Sequence, residues 1–281
     1  MRQRSTRKSV VRYVLLGVYT LFVVLPLYEM LAASLEPLKY IISPAFHFWP
    51  KHVNVSAYFH MWKTIPLARY FMNSIVVSGV ATLLSILIAL FASYAFSRFE
   101  FRGKTSFGWV LLATQMFPGI LFLLPIYVMF IYIQSHTGIH FTGTYQGLII
   151  TYMTFALPFS VWMLKGYFEG IPKSLDEAAK IDGSSHLRII FQILFPLALP
   201  GIIATAVFAF ITAWNELLFA TVLTSSATKT ITIGLESYAS RSVIHWGQLM
   251  AASLTVTIPI VVAFLLVQKY FLYGFAGSVK E

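Results

Sequence analysis

Ser174-Leu175-Asp176-Glu177-Ala178-Ala179-Lys180-Ile181-Asp182-Gly183 is a polar island in an otherwise oily chain, and the sequence returns from it to an apolar run through Ile193-Leu194-Phe195-Pro196. Of the 281 residues, 58% are hydrophobic and only 11% charged, and the mean hydropathy is +0.77. Soluble domains carry about 25% charged residues, so the chain reads as an integral membrane protein. Apolar runs lie near 11–34, 70–97, 106–133, 145–165, 198–223 and 249–270. Each reaches the roughly 20 residues that cross a ~30 Å hydrocarbon core. They are continuously apolar rather than alternating, which predicts six transmembrane helices and not a barrel. The island falls between the fourth and fifth of them.

The formal charge of +10 acquires a meaning once the basic residues are sorted by loop. Placing the N-terminus inside puts Arg2, Arg4, Arg7, Lys8, Arg12, Arg98, Arg102, Lys104, Lys165, Lys173, Lys180, Arg188, Lys269 and Lys280 on the inner side. Only Lys39, Lys51, Lys63, Arg69, Lys229 and Arg241 remain outside. The positive-inside rule then predicts two cytoplasmic termini, and the charge needs no nucleic-acid partner. The first apolar run follows a basic stretch but shows no small-x-small cleavage site before Leu35-Glu36-Pro37, so it reads as a retained helix rather than a signal peptide. With no cysteine, disulfides and thiolate metal sites are excluded, while the compartment is left open.

Residues 35–69 form the longest outer segment, in which Pro44-Ala45-Phe46-His47-Phe48-Trp49-Pro50 reads as an interfacial turn with aromatic anchors. No internal repeat is visible. The simplest division is an N-terminal part, 1–69, holding the cytoplasmic N-terminus, first helix and outer loop, and a transmembrane core, 70–281, with its long inner loop at about 166–197. Pro26, Pro118, Pro125, Pro158 and Pro259 lie within apolar runs. They predict kinked helices packed around a path, or reflect only the commonness of proline in membrane helices.

Ser174 and Glu177 have the Ser-x-x-Glu spacing of a capping box, which predicts a helix from Leu175 with Asp176 and Glu177 in its first turn. Gly183 is placed to end it in the left-handed conformation, and Ser184 or Ser185 to cap a second short helix toward Ile193. Leu175, Ala178, Ala179 and Asp182 share one face, flat enough to enter a groove on another protein. The alternative is a surface helix in which Glu177 only caps.

Glu177-Ala178-Ala179, three residues, Gly183, nine residues, then Ile193 and a Phe195-Pro196 pair resembles the EAA loop of binding-protein-dependent ABC importer permeases, where the final pair is usually Leu-Pro. Ser93-Tyr94-Ala95-Phe96-Ser97-Arg98-Phe99-Glu100-Phe101-Arg102-Gly103-Lys104, Met116-Phe117-Pro118 and Trp214-Asn215-Glu216 are similar to the carbohydrate-uptake branch that includes the maltose-type inner permease. The resemblance runs from about residue 70 to the end. It implies an all-α fold of the type I ABC importer permease, in a multi-pass chain of a prokaryotic cytoplasmic membrane. It also implies that Glu177, Ala178, Ala179, Asp182 and Gly183 contact an ATPase. The implied partners are a second permease subunit in a heterodimer, two cytoplasmic ATPase subunits, an extracytoplasmic substrate-binding protein and membrane lipid. No cofactor is expected on this chain, since ATP and Mg would be held by the ATPase, and the chain itself is expected to be a transport subunit and not an enzyme. The cargo implied is a sugar or oligosaccharide. Glycerol phosphate, a polyamine or an amino acid is the alternative within the same machinery, and a secondary transporter is the alternative outside it.

Glu216 stands within an apolar run, where an ionisable group costs about 2.5–3.5 kcal/mol even on the lenient insertion scale, so it must face protein or water. With Trp214 and Asn215, and with Met116, Phe117 and Pro118 of the third run, it belongs either to a sugar path or to helix packing. Arg102-Gly103-Lys104-Thr105 lacks the leading glycine of a phosphate-binding loop, since Arg98 occupies that place. The Arg98, Arg102 and Lys104 cluster reads instead as an anchor to the inner membrane face, with anionic lipid as partner. His136 and His140 are four apart, but Gly138 interrupts them and no carboxylate is near, so a solvated loop is expected there and no metal. No catalytic constellation is evident.

Overall fold

The computed structural model describes residues 2–43, 48–239 and 244–277, with side chains from Val10 to Lys269. Apart from one isolated bridge between Ala239 and Ile244, the described residues are helices and their connections. Six apolar runs were expected. Four are continuous helices: α1 (Arg2–Ser34), α2 (Leu67–Arg98), α5 (Tyr145–Glu169) and α9 (Trp246–Gly277). The other two are broken, the third into α3 (Lys104–Met116) and α4 (Leu123–Thr137), the fifth into α7 (Leu199–Trp214) and α8 (Leu218–Leu223). The island forms α6 (Ser174–Ile181).

The break in the third run has a local cause. In the third run, Pro118 drives the residue before it out of the helical region, and Phe117 is extended at φ −82, ψ 132. A short 3-10 turn, Gly119–Phe122, then leads into α4. In the fifth run, α7 stops at Asn215 and Leu217 departs from helical angles at φ −121, ψ −40, before α8 begins. Pro26, Pro158 and Pro259 are by contrast carried inside continuous helices.

The chain divides into two compact units. One comprises Met1–Leu67 with Gly234–Ile258. In it α1 is apolar on all sides with exposed Val10–Leu27, as suits a helix whose solvent is lipid. The segment after it is folded back by hydrogen bonds from Lys51 N–H to Glu36 Oε1 and from Asn54 N–H to the Leu35 carbonyl. Phe48 and Trp49 pack their rings on Tyr28 of α1, so this half of the expected aromatic anchor is present. Pro44–His47 lie outside the described residues. The buried Tyr238 hydroxyl donates to the Met61 carbonyl, and burial holds its pKa above the ordinary tyrosine value.

The second unit comprises Ala68–Ile233 with Pro259–Glu281. Here α5 is the central helix, with α3, α7 and α8 packed on it. Its contact with α7 is close because of Gly201: a Cβ there would run into the Tyr167 ring. Ser93 of α2 donates to the Val161 carbonyl of α5 across 2.9 Å, a polar tie of the kind that joins helices in lipid. At the end of the unit away from α6, buried Asn73 is fully satisfied. Its amide donates to the Ala227 and Lys229 carbonyls, and its carbonyl accepts from Tyr145.

Candidate functional site: the coupling segment and the two helix breaks

The segment around α6 is built much as the spacing predicts, with three differences. Gly183 adopts φ +78 and ends the helix, where an L-residue would be strained whatever the space. Ser185 caps the next turn, its hydroxyl accepting from Arg188 N–H at 3.4 Å. From there His186–Arg188 widens into a π-turn at Ile189–Leu194 before Phe195–Leu197, just ahead of Pro196, which has no N–H to give. The first difference is at the start of α6. Lys173 rather than Ser174 occupies the cap, its carbonyl accepting from Glu177 N–H at 3.1 Å, and no side chain caps the helix. The predicted capping box is out of register by one residue and does not form.

The second difference is which residues face out. Asp176 and Ala179 are buried, whereas Leu175, Glu177, Ala178, Ile181, Asp182 and Gly183 are exposed. Ala179 therefore leaves the flat face expected for it and seats the helix. Ile181, at 86% exposure, takes a place on the open face beside Leu175 and Ala178. Ala178 and Ala179 are adjacent and point about 100° apart around the helix, so one is left open while the other is buried.

The third difference concerns Arg98. Its side chain is 5% exposed and forms an ion pair with Asp176, itself 6% exposed, at 2.7 Å. Its remaining donors reach the Phe168 carbonyl at 3.0 Å and the Ile171 carbonyl at 3.1 Å. The expected cluster is thereby split: Arg98 is an internal clamp and not a lipid-facing anchor. Burial explains the change, because a guanidinium taken out of water needs a carboxylate and carbonyls on every donor. Lys104 instead closes the turn before α3, donating to the Phe99 carbonyl and to Glu100 Oε1 at 2.8 Å. That hydrogen bond holds the exposed Glu100 carboxyl below its usual range. Gly103, at φ +87, is the N-cap of α3, so the sequence that looked like the end of a phosphate loop is a helix start.

One helical turn before Arg98, the Tyr94 hydroxyl lies 2.8 Å from His186 Nδ1. The rings of Tyr94, Phe99 and His186 pack edge-on and tilted around this contact.

The two helix breaks meet at Gly119, Phe155 and Phe219, and the structure does not bring the candidate residues of the third run against those of the fifth. Gly119 lies against the rings of Phe155 and Phe219, which an added Cβ would touch at 3.7 and 3.9 Å, and Phe122 packs on Phe155. Met116 is 84% exposed, and Phe117 and Pro118 are exposed beside it. In the fifth run Trp214 is 2% exposed, its ring between Phe71 and Phe210. Asn215 is exposed at the end of α7. Glu216 caps α8: its two carboxylate oxygens accept from Phe219 N–H at 2.8 Å and Ala220 N–H at 2.9 Å. Thr232 donates to the Glu216 carbonyl at 2.7 Å. A carboxylate that satisfies the freed donors of a helix start accounts for an ionisable residue at this depth.

A family model described as the binding-protein-dependent transport system inner membrane component matches residues 81–272. The inner membrane ABC transporter permease protein YcjP of Escherichia coli is 35% identical over 269 residues, covering 94% of each chain. The trehalose/maltose transport system permease protein MalG of Thermococcus litoralis is 37% identical over 220 residues, covering 77% of each. In a solved bacterial ABC transporter that imports alginate, one chain superposes with a TM-score of 0.78 at 22% identity, over 95% of this chain and 98% of that one, which shows the fold. With its apolar spans and its helical segment at 174–197, the chain belongs to the family of binding-protein-dependent transport system inner membrane components, and it is a multi-pass transport permease subunit.

Proposed function

We propose that the chain is one half of a heterodimeric permease through which a sugar or oligosaccharide crosses the cytoplasmic membrane, driven by ATP hydrolysed on two separate cytoplasmic subunits. A substrate-binding protein delivers the solute at the outer face, and ATP with its Mg stays on the partner ATPases. The observation that carries the reading is α6. It is a short surface helix seated through Asp176 and Ala179, with Glu177, Ala178, Ile181 and Asp182 left open at the same end. Leaving Ile181 in water is unfavourable unless a partner covers it, at about 25 cal/mol per Å² of apolar surface, and a helix laid into a groove is a common way to cover such a face. The choice of a sugar as cargo draws on the 37% identity to a trehalose/maltose permease.

Closure of the ATPases would then move α6, and the permease halves would exchange inward- and outward-facing arrangements. Met116, Phe117 and Pro118, together with Asn215, are the positions where broken helices open irregular backbone, which membrane proteins tolerate when it is buried in protein or lines a cavity. Trp214 and Glu216 support that region by packing and by capping.

The test is to purify the tagged chain in mild detergent, identify its companions and assay hydrolysis. A stoichiometric ATPase and a second permease, with hydrolysis stimulated by sugar-loaded binding protein, is the expected result. A lone chain without ATPase would overturn the reading. Glu177→Lys and Gly183→Pro are expected to uncouple transport while the protein remains in the membrane, measured as solute uptake against membrane abundance.

A further inference from the structure

We propose that Tyr94 and Arg98 are positioning residues that grip the coupling segment on both sides of Gly183 and so deliver movement of α6 to α2 and α5. The inference rests on the proposed ATPase contact at α6. Tyr94 and Arg98 are four residues apart on α2 and therefore share one face. Arg98 holds Asp176, before the glycine, and Tyr94 holds His186, after it. Arg98 also reaches the last turn of α5 and the residues beyond it, through the Phe168 and Ile171 carbonyls.

Gly183, in the left-handed conformation, is the joint of this segment: an added Cβ would meet nothing within 4 Å, and the turn is held by backbone hydrogen bonds from Gly183 N–H to the Lys180 carbonyl at 3.0 Å and from Ser184 N–H to the Ala179 carbonyl at 2.9 Å. A push on the exposed face of α6 would be absorbed there if the backbone were the only connection. Two side-chain ties that bypass the glycine remove that slack. The stronger of them is a charge-assisted fork in a water-poor site, which lysine, a single point donor, cannot reproduce.

The experiment uses the whole importer reconstituted in vesicles, comparing wild type with Arg98→Lys and Tyr94→Phe, each of which keeps the charge or the ring. We expect solute moved per ATP hydrolysed to fall about fivefold or more in Arg98→Lys and by a smaller factor in Tyr94→Phe, a coupling loss of the usual allosteric size. The ATPase should still co-purify and still hydrolyse. Because the chain has no cysteine, spin labels at Lys180→Cys, exposed on α6 beside the docking face, and at the exposed Ile150→Cys report the stiffness of the link. Their distance distribution should broaden in both variants.

An unchanged ratio of transport to hydrolysis with an unchanged distribution overturns the inference. So does a loss in which hydrolysis, yield and transport fall in proportion, which marks a role in stability alone. If Arg98→Lys fails to accumulate, Tyr94→Phe alone decides on the same two readouts. Absence of any ATPase from the wild-type complex overturns the importer reading itself, and is distinguished by being independent of the variants.

Discussion

At the residue scale, two side chains have roles that follow from what they touch, and one glycine has a role that follows from its backbone angle. Glu216→Ala would leave the Phe219 and Ala220 N–H groups without acceptors at the start of α8. The expected loss is about 1–3 kcal/mol per unsatisfied group, seen as a lower unfolding midpoint in detergent, with Glu216→Gln losing less because its amide oxygen still accepts. Trp214 lies between two rings, so Trp214→Ala should cost about 3–5 kcal/mol. Trp214→Phe should restore most of that without altering the substrate concentration for half-maximal uptake. A change in that concentration in the phenylalanine variant would assign Trp214 to the solute path. Gly183→Ala places a Cβ in the left-handed region at a cost of about 1–2 kcal/mol, so it should reduce uptake more mildly than the proline variant, in side-by-side vesicle assays.

At the element scale, the contact between α5 and α7 depends on a missing side chain. Gly201→Leu forces atoms into the Tyr167 ring. Over-packing of this kind costs about 1–3 kcal/mol, which should appear as reduced yield and a lower unfolding midpoint. The double variant Gly201→Leu with Tyr167→Ala should recover part of it, and failure to recover would mean that the Tyr167 ring is not the obstacle. The same scale explains why the boundaries of α6 were legible and its orientation was not. Its length, its glycine stop and the cap at Ser185 depend on neighbours within a few residues. Whether Asp176 or Glu177 turns inward depends on Arg98, seventy-eight positions earlier in the chain, and no local pattern records that distance.

At the scale of the whole molecule, the exposed face of α6 is the testable prediction. Ile181→Asp removes an apolar contact that only a partner could supply. The isolated chain should keep its unfolding midpoint while co-purification of the ATPase is lost. Unaltered co-purification would place the docking face elsewhere. The membrane class, the six apolar runs and the coupling segment were determined by the sequence alone, because hydrocarbon thickness sets a length for apolar runs and helix ends carry local signals. Only the tertiary structure decided that the third and fifth runs are broken helices meeting at Phe155 and Phe219, that Glu216 caps α8, and that Arg98 clamps Asp176. The meeting of the two breaks and the Arg98–Asp176 clamp join groups far apart along the chain, whereas Glu216 reaches donors three and four positions on, and its spacing alone did not separate a cap from a path-lining residue. The reason is physical: a buried charge or a freed N–H must find its partner wherever folding brings one, and sequence spacing carries no record of that meeting.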